Sequence, residues 1–199
     1  MPNRRNLESG YHNRFWVMRH GDNELAGVIN SNPRVADRLT EAGQEAIIEA
    51  AFSEPLHGIG SRALIYTSAL PRAFESAVVL AEALSAEPPT VNQLLNERLF
   101  GLLEGESTAN YERVWRADRG MPETKDELKN MKVELPSKVL KRVLYAVSKI
   151  DLDNHFGEDI VLVTHGDVAG IAVAGFGGLS SSQHRDAPPL GLAEVRRLV

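Results

Sequence analysis

The sequence predicts an α/β fold: a three-layer α/β/α sandwich whose mainly parallel sheet carries helices on both faces. Two observations lead there. Short, almost wholly apolar runs at residues 15–18, 63–66 and 160–164 read as strands buried on both sides. Segments with helical apolar spacing follow each of them, and such alternation builds parallel sheets through crossover helices. In open sheets of this kind ligands lie beyond the carboxyl ends of the strands, so residues just past each run are gathered on one rim.

The elements follow in order. Residues 15–18 form the first strand and end at Arg19. Thr40 is an N-cap for a helix striped by Ala42, Ala46, Ile47, Ala50 and Ala51. The second strand spans 63–66; Pro71 then opens a helix whose apolar face is Ala73, Ala77, Leu80, Ala81 and Leu84. Pro88 and Pro89 break the chain, and 91–95 reads as a brief strand. Residues 96–132 are irregular, with one helix near 111–118, and read as a cap-like insertion in a single domain covering 1–199. Leu140, Val143, Leu144 and Val147 stripe a helix entered near Pro136. The strand 160–164 precedes a small-residue helix over 168–176, and 193–198 forms a last strand near the sheet edge.

Composition narrows the function. With 43% hydrophobic and 25% charged residues, 199 residues suffice for a sizeable core. A net charge of −5 argues against a nucleic-acid binder. The absence of cysteine removes thiolate catalysis and zinc–thiolate sites and favours a reducing, cytoplasmic setting. No apolar run approaches the ~20 residues of a membrane helix, and the polar start is not a signal peptide. Arg4-Arg5 reads as part of a frayed terminus.

Four stretches at strand ends carry the chemistry: Arg19-His20-Gly21, Arg72, Glu97 and His165-Gly166. Two arginines, two histidines and a carboxylate meet the needs of phosphate monoester cleavage without a metal or other cofactor. Arginine forks neutralise phosphoryl oxygens, a neutral imidazole attacks phosphorus, and a protonated carboxyl supplies the leaving oxygen's proton. His165 donates to a phosphoryl oxygen. Taken singly, each is more simply a turn histidine, a helix-start charge or a loop carboxylate; the joint occurrence turns the balance. Neutral His20 with protonated Glu97 predicts a bell-shaped pH profile below neutrality.

These stretches resemble the histidine phosphatase superfamily, which includes the cofactor-dependent phosphoglycerate mutases. Residues 15–21 resemble its nucleophile motif, and Leu39-Thr40-Glu41-Ala42-Gly43 its first helix opening. Residues 66–73 resemble the segment of the second arginine, 95–101 with Glu104-Gly105 the acid-bearing loop, and 161–166 the second histidine segment. The resemblance implies a phosphorylated nucleophile at His20, a phosphate pocket from Arg19, Arg72 and His165, and Glu97 as acid/base. Residues 97–101, the stretch 110–115, Asp118, Phe15-Trp16 and 193–196 are similar to a little-characterised mutase-like subgroup.

There are departures. Where the family places a phosphate-holding Asn, this chain has Ala26, and Asn23 takes the role after a shortened loop. Gly21, Asn23, Arg98, Tyr111 and Arg116 complete the candidate substrate contacts. Tyr111 and Trp115 share a helix face and either pack the cap or touch substrate, with packing favoured. Arg113 and Arg116 meet a second anionic group or are solvated. His184-Arg185 edges the pocket, and His12, His57 and His155 are surface residues.

The expected activity is hydrolysis of small phosphorylated metabolites. The alternative is a cofactor-dependent phosphoglycerate mutase, opposed because the cap lacks an adjacent arginine pair and the sequence ends at Val199 without a closing tail. A catalytically inactive phosphate-binding module is opposed by retention of all five polar groups, and a protein phosphatase by the cap. A homodimer is the default assembly.

Overall fold

The computed structural model describes residues 10–120 and 129–199. Arg4-Arg5 and residues 121–128 of the expected cap lie outside them. Strand β1 (Arg14–Arg19) leads to helix α1 (Glu41–Phe52); β2 (Leu64–Thr67) leads to α2 (Pro71–Leu84) and a two-residue β3 (Thr90–Val91). Then come α3 (Tyr111–Asp118), α4 (Pro136–Asp153), β4 (Asp159–Thr164), α5 (Gly166–Phe176) and β5 (Val195–Arg197). The sheet order is β3-β2-β4-β1-β5. All pairings are parallel except β1 with β5.

The apolar runs have no polar alternation because both faces are covered. On one face Trp16, Met18, Ile65, Val161 and Val163 pack against Ile47 and Ala51 of α1 and Ala73, Ala77 and Leu80 of α2. On the other, Phe15, Ile160 and Leu162 meet Val139, Val143 and Val147 of α4 and Val168, Ile171 and Ala172 of α5. The period-two strand geometry thus delivers alternate residues to two helical layers, which is the predicted three-layer sandwich. A third, smaller cluster of Ile29, Phe100, Leu103, Val114, Ala117 and Val133 packs the irregular segment together. Among the described residues no helix is long and apolar enough to cross a membrane.

Three boundaries differ from expectation by two residues or more. The strand placed at 91–95 is Thr90–Val91, because the Asn92 side chain accepts from Leu94 N–H at 3.0 Å and turns the chain into a 3₁₀ turn, Gln93–Leu95. Helix α5 starts at Gly166, two residues early, since extended His165 is its N-cap. The last strand is only Val195–Arg197; Ala193, with φ 57°, stands outside the sheet conformation.

One close approach positions the site. A Cβ on Gly43 would meet Asp22 O at 2.3 Å, and one on Gly21 would meet Gly43 O at 2.6 Å. The chain leaving β1 therefore lies directly on the first turn of α1. Gly43→Ala is expected to destabilise the protein by about 2–3 kcal/mol through overpacking, read as a lowered denaturant midpoint at unchanged slope.

Candidate active site

His20 follows β1 and continues its pairing, donating its backbone N–H to Thr164 O at 2.9 Å. The side chain is buried. Its Nδ1 is 2.8 Å from Gly21 O. A carbonyl only accepts, so Nδ1 carries the proton and Nε2 keeps its lone pair. That lone pair accepts from Arg72 Nε–H at 3.1 Å. Burial, reinforced by the Arg72 charge, holds the imidazole well below its ordinary pKa and therefore neutral. Gly21 lies outside the cavity lining: its carbonyl orients His20, and its N–H donates to Ser76 Oγ at 3.0 Å.

Arg72 enters from the first turn of α2, where Pro71 starts the helix. Besides His20 it donates to Asp37 Oδ2 and to Asn30 O, each at 2.9 Å, and lies 3.9 Å from Glu97 Oε2. Asp37 is buried and also accepts from Asn23 Nδ2 at 2.7 Å and Leu25 N at 3.2 Å. One carboxylate thus fixes both Arg72 and Asn23, and all three line the cavity. Removing one partner of a buried ion pair leaves the other charge uncompensated. Asp37→Ala is therefore expected to cost about 3 kcal/mol of stability, measured by denaturant unfolding, and to weaken binding of inorganic phosphate.

Arg19 lines the cavity, with NH1 donating to Leu190 O at 2.9 Å and a buried Nε that has no partner. Gly166 lets it approach, since a Cβ there would sit 3.3 Å from the guanidinium carbon. Glu97 is buried, with Oε1 accepting from Arg98 N–H at 2.8 Å. Burial pushes its pKa up to about 7, Asp167 adds to the rise, and Arg72 opposes it.

His165 is fully buried behind the lining, its ring centroid 5.2 Å from that of His20. Its Nε2 is 2.8 Å from Ser68 Oγ. Ser68 gives its own proton to Asn96 Oδ1 at 3.1 Å, and that oxygen also accepts from Ala69 N–H. The Nε2–H of His165 must therefore donate to Ser68. Its Nδ1 is left as an unpartnered acceptor, 3.9 Å from Glu97 Oε2. The expected donor to phosphate is an acceptor in this structure and needs one more proton to donate.

Burial holds His20, His165 and His184 below their ordinary pKa values. The unfolded chain binds protons near pH 6.5 that the folded chain refuses, so stability rises with pH there. The thermal midpoint is expected to fall as pH drops below about 6.5, which melting curves at pH 5 and 7 check.

Three expected substrate contacts do not line the cavity: Gly21, Arg98 and Arg116. Arg98 is fully buried: it forks onto Asp118 at 2.7 and 2.8 Å, meets Asp167 at 3.1 Å and donates Nε–H to Glu134 O at 2.7 Å. It ties the Glu97 loop to α3 and α5 because a desolvated guanidinium must spend its donors on acceptors. Arg116 is exposed and outside the lining. Tyr111 fits both readings, stacking on Trp115 at 5.5 Å, packing on Phe100 at 4.9 Å and lining the cavity. His184 is buried rather than at the edge, its Nδ1–H on Ser181 O at 2.9 Å, while Arg185 does line the cavity.

Asp37, Ser68, Asn96 and Asp167 were missed. Asp37 stands two residues before Leu39-Thr40, and Asp167 directly follows His165-Gly166, so proximity to the motifs was the available signal. The cavity has a volume of about 440 Å³, with an aromatic wall of Phe100, Tyr111 and Trp115.

No curated protein matches the sequence significantly. The mycobacterial glucosyl-3-phosphoglycerate phosphatase is structurally similar, with TM-score 0.70 and 21% identity over 92% of this chain and 88% of that one. Its complex with inorganic phosphate matches at TM-score 0.70 and 22% identity, with the same coverage. The YhfR protein of Bacillus stearothermophilus gives TM-score 0.72 and 19% identity over 93% of this chain and 90% of its own. At such identity these likenesses establish the fold. The model of the histidine phosphatase superfamily (branch 1) matches residues 15–199, from the first residues of β1 through β5. With the sandwich, the motif order and nearly the whole chain in agreement, the protein belongs to the histidine phosphatase superfamily, branch 1.

Proposed function

We propose that the protein is a metal-independent phosphomonoesterase that hydrolyses small phosphorylated metabolites through a phosphohistidine on His20. The observation carrying this reading is the tautomer: Nδ1–H is held by Gly21 O, so Nε2 offers its lone pair beside the Arg72 guanidinium. The mycobacterial phosphatase fold that accepts inorganic phosphate supports the same class of ligand.

In the first step the Nε2 lone pair forms a bond to phosphorus as the ester P–O bond breaks. Protonated Glu97 gives its proton to the leaving oxygen, and the alcohol departs. Arg19 and Arg72 neutralise the phosphoryl oxygens, the role a metal takes elsewhere. Arg72 Nε–H, which rests on the His20 lone pair, passes to a phosphoryl oxygen when phosphorus takes its place. In the second step water attacks phosphorus, Glu97 carboxylate takes its proton, the N–P bond breaks, and inorganic phosphate leaves.

His165 donates to phosphate only once Nδ1 is protonated. Binding of inorganic phosphate is therefore expected to take up about one proton, measured by calorimetry in buffers of different ionisation enthalpy; zero uptake contradicts that role. The described part of the expected cap, residues 96–120, covers the cavity in this reading, because Phe100, Thr108, Tyr111 and Trp115 line it. A walled cavity of this size suits a metabolite better than a protein chain.

The test is phosphate release from an aryl phosphate and a metabolite panel with EDTA present. The proposal expects release that EDTA leaves unchanged. Activity that EDTA abolishes and a divalent cation restores would refute it.

A further inference from the structure

We infer that Arg185 is a specificity-determining residue that binds a second anionic group, a carboxylate or second phosphate, on the far end of the substrate. The inference rests on the reading of the cavity as a phosphomonoester site and deepens it by naming the substrate class.

Three arginines line the cavity: Arg19, Arg72 and Arg185. Arg72 is spent on His20, Asp37 and Asn30, and Arg19 reaches Leu190 O. Arg185 differs from both. Its guanidinium carbon is 3.6 Å from the ring centroid of Trp115, van der Waals contact, so the flat cation lies on the ring face. Trp115 is itself fixed, donating Nε1–H to Asp167 Oδ1 at 2.9 Å and stacking on Tyr111. A guanidinium held by its face keeps its in-plane N–H donors free for a planar or tetrahedral oxyanion.

No side-chain hydrogen bond and no carboxylate within ion-pair distance accompanies Arg185 among the described residues. The carboxylates whose charges reach it are Asp167, already shared by Arg98 and Trp115, and exposed Glu112, and neither lies within ion-pair distance. Partial burial already disfavours the Arg185 charge, which an anionic ligand group would offset. The second-anion role that the sequence offered to Arg113 or Arg116, neither of which lines the cavity, is assigned to Arg185 instead.

The test uses non-hydrolysable probes, so it does not depend on turnover. Affinities of ω-carboxyalkyl phosphonates of two to five carbons, and of α,ω-bisphosphonates, are measured by calorimetry against the matching ω-hydroxyalkyl phosphonates. Wild type is expected to favour the doubly anionic probes by about tenfold or more at the best chain length. The tighter of the two series identifies the second group. In Arg185→Gln that preference falls to near one. The inference is overturned by no preference in wild type at any length, by a preference that survives Arg185→Gln, or by equal loss of both probe series in the variant. A wild type that shows the preference and loses it in Arg185→Gln, yet releases no phosphate from any monoester, would instead refute the hydrolytic reading alone.

Discussion

Alanine in place of His20 is expected to remove phosphate release from every monoester, a loss of roughly 10⁴-fold or more. The size follows from the division of labour. Arg19, Arg72 and Glu97 act on charge and protons at a phosphoryl group, but only His20 Nε2 offers a lone pair fixed in the cavity by its own Nδ1–H to Gly21 O. Nothing else among the described side chains of the cavity is a comparable nucleophile: His165 is buried behind the lining, and His184 is packed near Asp167 at 3.9 Å. A melting curve of the variant controls for folding. Retention of more than about a hundredth of wild-type activity by a folded variant would remove His20 from the nucleophile role.

Glu97→Gln carries the second large effect. Glutamine cannot give a proton to a leaving alkoxide or take one from water, so kcat for alkyl phosphates is expected to fall about 10²–10⁴-fold. An aryl phosphate separates the two duties. A nitrophenolate leaves without help, so the first step survives while attack of water on the phosphoenzyme is slowed, and the variant shows a burst of one nitrophenol per site. The pH dependence supplies a second check. The first step needs protonated Glu97, whose pKa burial raises to about 7, so wild-type activity falls as pH rises through about 7. It also needs neutral His20, whose pKa lies well below 6.5, so the acid limb lies on the far side of a plateau below neutrality. The alkaline limb near 7 should vanish in Glu97→Gln; its persistence would assign it to another group.

What could be read from the sequence divides along a physical line. Strand β4 was legible because residues 160–163 are covered on both faces and so show no polar positions. Arg19, His20 and His165 could be placed on one rim because they stand at the ends of β1 and β4. Arg72 could be placed there because it opens the helix after β2, whereas Glu97 comes after a 3₁₀ turn and depends on that loop. Asp37 was not, since its bonds to Asn23 and Arg72 depend on how the loop between β1 and α1 folds back. Arg98 misled for a related reason: adjacency to Glu97 suggested substrate, whereas the alternate direction of its side chain takes it to Asp118 and Asp167. Asn23 fares differently from Ala26, the position where the family's asparagine was missing. Both line the cavity, but Asn23 is held there by the carboxylate that holds Arg72.

The central claim is a covalent bond between phosphorus and His20 Nε2, and trapping that bond tests it most directly. Enzyme turning over a ³²P-labelled aryl phosphate is quenched in base, where phosphohistidine survives, then digested and mapped. The account predicts label on the peptide containing His20, released by mild acid and absent from His20→Ala. Label on any other residue, or phosphate release in a single turnover with no labelled enzyme at any time, would contradict it.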